Sequence, residues 1–96
     1  MFNGMPRPGD TFEIDVTAEH FKKSEGYANI VTGCPLHIAL KEKFPDNNIS
    51  VGNRILFFDG IGFYIEGYVE PKECSHLINL AKNNVPVKTL TVRFTY

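Results

Sequence analysis

Polar and apolar residues alternate over "TFEIDV", residues 11–16, with Phe12, Ile14 and Val16 on one side and Thr11, Glu13 and Asp15 on the other. That period of two predicts a half-buried β-strand. Thr17 then stands where a helix N-cap belongs, so "AEHFKK" is expected as a short helix over 18–23. Residues 24–32 read as loop. In "GCPLHIAL", Pro35 suits the first helical turn, where a missing N–H costs nothing, and Leu36, Ala39, Leu40 and Phe44 recur at helical spacing. Pro45 and the run Asp46, Asn47, Asn48 end that helix.

A short strand at 49–51 leads to the most informative segment. Asp59-Gly60 between "RILFF" and "IGFYIEGYV" is a two-residue hairpin signal, because the favoured turn requires positive φ at both central residues. The turn sets the register, pairing Phe58 with Ile61, Leu56 with Phe63 and Ile55 with Tyr64. Leu56, Phe58, Ile61, Phe63 and Ile65 then share a core face. Ile55, Phe57, Tyr64, Glu66 and Tyr68 share the opposite one. Pro71 opens a third helix in which Cys74, Leu77, Ile78 and Ala81 form a buried stripe, ended by Asn83-Asn84. The last strand turns Leu90, Val92 and Phe94 inward and Thr89, Thr91, Arg93 and Thr95 outward. Together these elements predict an α+β fold: a mainly antiparallel sheet of four to five strands with two to three helices on one face. Residues 1–9, rich in glycine and proline, are expected as a flexible arm, with order from Asp10 and a single domain over 10–96.

The chain's 96 residues, 43% of them hydrophobic, can bury one modest core, so function is expected on a surface or an edge. A net charge of −1 with scattered Lys and Arg excludes the basic stripe that a phosphate backbone requires. With two cysteines and no long apolar run, the expectation is a cytoplasmic protein with free thiols, no membrane segment and no cofactor.

Three sharper chemistries can be weighed against plain structural roles. Cys34 at a helix N-terminus with His37 one turn on resembles the start of a thiol site, but no orienting group or oxyanion signature accompanies it. The plainer reading makes Cys34 a helix cap. Cys34, His37, Cys74 and His76 are zinc-type ligands, yet Cys74 and His76 lie two apart on a helix and diverge by about 200°. Cys74 is therefore expected in the core and His76 on the surface. His20, with no identifiable partner, is expected at least half-exposed. The aromatic outer face has no equally simple explanation, unless the first helix, the 24–32 loop or the arm covers it. Ile55, Phe57, Tyr64, Glu66 and Tyr68, with Arg93 beside them, are the candidate partner-binding residues. A single-strand nucleic-acid platform would also use aromatics, but only Arg93, Lys88 and Arg7 supply nearby charge.

"VTAEH" before a loop, "GCPLHIAL" opening a helix, "ISVG" before a hairpin and a terminal "VRFTY" resemble a group of small bacteriophage and prophage proteins with a C-P-x-x-x-A-L helix motif. That group often carries a second cysteine ahead of the C-P pair, where this chain has "YANIVTG". The resemblance implies a protein made in an infected cell. There, small accessory proteins block a host protein, as anti-CRISPR or anti-restriction inhibitors do. The expected function is thus a non-enzymatic binder of a host protein or complex, with a homodimer through the same face as a variant. The alternatives are a single-stranded nucleic-acid module and a small Cys/His-dependent or metal-dependent enzyme.

Overall fold

The computed structural model describes residues 6–24 and 34–96. Its elements follow the order β1 (Thr11–Val16), α1 (Ala18–Lys23), α2 (Pro35–Lys43), β2 (Ile49–Val51), β3 (Ile55–Phe58), β4 (Ile61–Glu66), α3 (Pro71–Lys82) and β5 (Leu90–Thr95). The five strands form one antiparallel sheet in the order β1-β5-β4-β3-β2. This is the expected α+β class.

Local chemistry explains most of the punctuation. Asp59 and Gly60 have φ of 51° and 83°, which both central positions of a type I′ turn require. The Asp59 carboxylate also accepts from Asn47 Nδ2 at 2.7 Å and from Asn48 N at 2.8 Å, tying the hairpin tip to the loop between α2 and β2. At the end of α3, Asn84 takes φ 60°, its N–H reaches Ala81 O, and the Val85 N–H reaches Leu80 O. Those two bonds make a Schellman motif that satisfies carbonyls the helix leaves open. The stretch 7–10, expected in part as loose arm, instead closes a turn in which Gly9 N donates to Tyr96 O and Arg7 N to Asp10 Oδ2. The rest of the expected arm, residues 1–5, and 25–33 of the expected loop lie outside the described residues.

The sheet curls around α2, which packs against both edge strands, β1 and β2. In a flat sheet β1 and β3 would lie about 14 Å apart, at roughly 4.8 Å per strand. The curl brings their Phe12 and Phe58 ring centroids to 6.1 Å. Phe12 also stacks on Phe94 at 4.8 Å and meets Phe63 and Phe44 edge-on. Phe44 ends α2 rather than extending it and delivers its ring to that cluster, 5.2 Å from Phe58. Around the rings, Val16, Phe21, Leu36, Leu40, Leu56, Val92 and Phe94 are fully buried. α1 packs on α2 and α3. The helices therefore occupy the concave side of the sheet, and its convex side is left to the outward-facing residues.

Candidate functional site

On the convex face, registers on neighbouring strands place residues in rows. Thr11, Thr95, Tyr64 and Ile55 lie across from one another; so do Glu13, Arg93 and Glu66. Phe57 lies opposite Gly62. Phe57 is 44% exposed and Tyr64 69%. Glu66, Arg93, Glu13 and Asp15 are exposed as well, and Ile55 is half-buried. No described helix covers this face.

Gly62 shapes its apolar half. A Cβ there would meet Ile55 Cδ1 at 3.3 Å and Phe57 Cε1 at 3.8 Å, so these two side chains lean into the space a side chain would fill. Ile55, Phe57 and Tyr64 thus form one apolar platform. Below it the charged row begins, with Arg93 between Glu66 and Glu13 and its guanidinium 3.7 Å from Glu13 Oε2. Thr91 Oγ1 donates to Asp15 Oδ1 at 2.9 Å in the next row.

Of the six candidate residues, Ile55, Phe57, Tyr64, Glu66 and Arg93 lie on this face and Tyr68 does not. β4 ends at Glu66, and Gly67 takes φ 83° with its Cβ direction 3.0 Å from Thr91 O, so the chain turns and the strand alternation stops. Tyr68 swings to the other side, packs on the core, and its hydroxyl sits 3.5 Å from Cys74 Sγ. Burial, then the bond to Cys74, holds that hydroxyl protonated far above its ordinary range.

The thiols match their structural readings. Cys34 is the N-cap of α2, and its Sγ accepts the His37 backbone N–H at 3.4 Å. Burial pushes both thiols up, with the nearby Cys74 reinforcing the effect at Cys34. A thiol held protonated is a poor nucleophile. The His37 ring does not meet the sulfur with its Nε2, which lies 3.2 Å from Ile49 O and donates to that carbonyl. His76 is exposed and Cys74 buried. Among the described residues no group of three or more His, Cys, Asp or Glu side chains is placed to hold a metal ion.

A pocket of about 270 Å³ is lined by Cys34, Val51, Ile65 and Tyr68, with Arg54 and Glu70 at its mouth 3.7 Å apart. Its thiol is Cys34, which burial keeps protonated.

His20, expected at least half-exposed, is only 7% exposed. Its Nδ1 accepts the Thr17 N–H at 2.9 Å, so Nε2 carries the ring hydrogen and donates toward Glu42 Oε2 at 3.3 Å. The imidazole takes the role a Glu or Gln plays in a capping box and fixes the start of α1 against α2. Thr three residues ahead of His was the available signal; the partner on α2 was not visible.

Among the described residues no helix is long and apolar enough to cross a membrane. Comparison of the chain with protein-family models, with curated proteins and with solved structures gives no match.

Proposed function

We propose that the protein is a non-enzymatic binding protein that occludes a partner protein through the convex face carrying Ile55, Phe57, Tyr64, Glu66 and Arg93. The observation that carries this reading is Phe57 and Tyr64, 44% and 69% exposed on neighbouring strands and uncovered by any described helix. Large aromatics on a sheet supply contact area at small entropic cost, and the Glu13, Arg93, Glu66 row supplies a polar rim. Protonated, capped thiols speak against a Cys34-dependent enzyme. The one cation of that row is flanked by Glu13 and Glu66, which disfavours a single-strand nucleic-acid platform. The convex shape favours a partner with a concave surface over a second copy of the chain, since two convex faces touch only along a ridge.

The setting implied by the resemblance makes the partner a host protein in an infected cell, of the defence-nuclease class. The test is a Phe57→Ser, Tyr64→Ser double variant. It is expected to keep its fold by circular dichroism, while a partner captured by the wild type, identified by mass spectrometry and purified, loses binding to the variant. If the folded variant binds that purified partner as well as the wild type does, the convex face is not the functional surface.

A further inference from the structure

We propose that the open edge of β1 is a strand-addition site for an extended, basic segment of a partner protein. The inference stands on the sheet edge rather than on the aromatic platform, and shares with the convex face's polar rim the residue Glu13.

In the sheet order β1 is an edge strand, paired among the described residues only with β5. Tyr96 N donates to Asp10 O at 2.9 Å, which makes these two residues a hydrogen-bonded pair in the β1–β5 register. Alternation then directs the backbone groups of Phe12, Ile14 and Val16 to β5 and those of Thr11, Glu13 and Asp15 to the open side. The rest of the sheet keeps the same alternation: Ile65 N reaches Arg54 O and Asp59 N reaches Asn48 O. Three successive outward N–H and C=O pairs, which no strand takes up among the described residues, remain for an incoming strand. Such an edge recruits another chain unless something obstructs it.

The space beside it is shaped to receive one. A cleft of about 460 Å³ wraps the edge, lined by Glu13, Ile14 and Asp15 of β1 and by His20, Ala39 and Glu42 of the helices. Ile14 and Ala39 are each 4% exposed and give the cleft an apolar floor. Three carboxylates stand around it with one lining cation, Lys43, and Glu13 also has Arg93 3.7 Å away on the convex side. Lysine or arginine at alternate positions of an added strand would meet Glu13 and Asp15 across the new pairing, and opposite charges facing one another on neighbouring strands stabilise the pair. A second copy of this chain fits less well. Antiparallel self-pairing centred on Glu13 sets that carboxylate against its own image, and like charges directly opposite destabilise a sheet.

The experiment uses the full chain with a fluorescein-labelled octapeptide alternating valine and lysine, the same peptide N-methylated at alternate residues, and an alternating valine-glutamate peptide. Binding is followed by anisotropy and by amide hydrogen exchange. The lysine peptide is expected to bind saturably and to slow exchange at the Thr11, Glu13 and Asp15 amides. N-methylation, which removes ladder bonds but keeps the charge, is expected to weaken binding at least about tenfold, as is Glu13→Lys combined with Asp15→Lys. Glu42→Lys, on α2 and outside the strand pairing, is expected to weaken it too and serves if the β1 variant does not fold. The Phe57→Ser, Tyr64→Ser variant should bind the peptide as the wild type does, which separates this site from the convex face. Equal binding of the methylated peptide, protection confined to other strands, or no saturable binding up to millimolar peptide would each overturn the proposal.

Discussion

Phe58 and Phe63 on one side of the β3–β4 hairpin, and Phe57 and Tyr64 on the other, are near-identical chemistry one residue apart. Phe58 and Phe63 are 6% and 1% exposed; Phe57 and Tyr64 are 44% and 69%. The difference is not made in the hairpin, whose register treats the two faces alike. It is made by α2 and the Phe12 and Phe44 rings, which fill the concave side and leave the convex side to solvent. An aromatic residue is structural on one face and available on the other according to what the rest of the chain brings to it.

The largest expected effect tests that contrast directly. Phe63→Ala should lose about 3–5 kcal/mol in denaturant unfolding, because it removes a buried ring and leaves a cavity. Tyr64→Ser should cost about 1 kcal/mol or less, the span of strand propensity. Equal losses would mean that Tyr64 is covered, and the binding face would have to be sought elsewhere. Next in size is Gly67→Ala, expected to cost about 1–2 kcal/mol from forcing positive φ on a residue with a Cβ, with Thr91 O adding a clash. It would also turn Tyr68 back toward the convex face, readable as a change in tyrosine fluorescence.

The thiols give a kinetic prediction. Cys34 and Cys74 should react with iodoacetamide at neutral pH more slowly than a free cysteine, since burial raises both. Linkage gives the sign. A thiol raised in the folded state stabilises fully below its unfolded value and loses that contribution as pH rises, so stability should begin to fall near pH ~8.5. Faster alkylation than a free thiol would reopen the catalytic reading of Cys34.

The smallest effect concerns Asp59, whose carboxyl is lowered by its bonds to Asn47 and then Asn48. Its contribution is present above the unfolded carboxylate range and lost as pH falls through the folded value. Asp59→Asn, which tolerates the positive φ of the turn, should flatten that acid-side loss slightly without moving the hairpin register.

Much of the fold was legible because its signals are local. The alternation of "TFEIDV", Pro35 and Pro71 in the first helical turns, the Asp59-Gly60 turn and the inward set Leu90, Val92, Phe94 each act within a few residues, and each element formed where its signal stood. The same locality placed Ile55, Phe57, Tyr64, Glu66 and Arg93 on one face. It misplaced Tyr68, because alternation carried through Gly67 assumes a strand that the positive φ at that glycine had already ended. His20 was misjudged for another reason. Its backbone partner, Thr17, is three residues away, whereas the Glu42 and α2 packing that bury it come from a distant part of the chain.

Residue spacing by itself determined the elements, the hairpin register and the two sets of side chains on each strand, since period and turn conformation depend on neighbouring residues alone. Tertiary structure decided the curl that gathers the Phe12 cluster and the helix layer that covers one face and spares the other. It also left the β1 edge without a partner strand among the described residues. Those outcomes depend on long-range packing, in which apolar stripes far apart in sequence are buried together, and no local pattern specifies which of two similar faces that packing will reach.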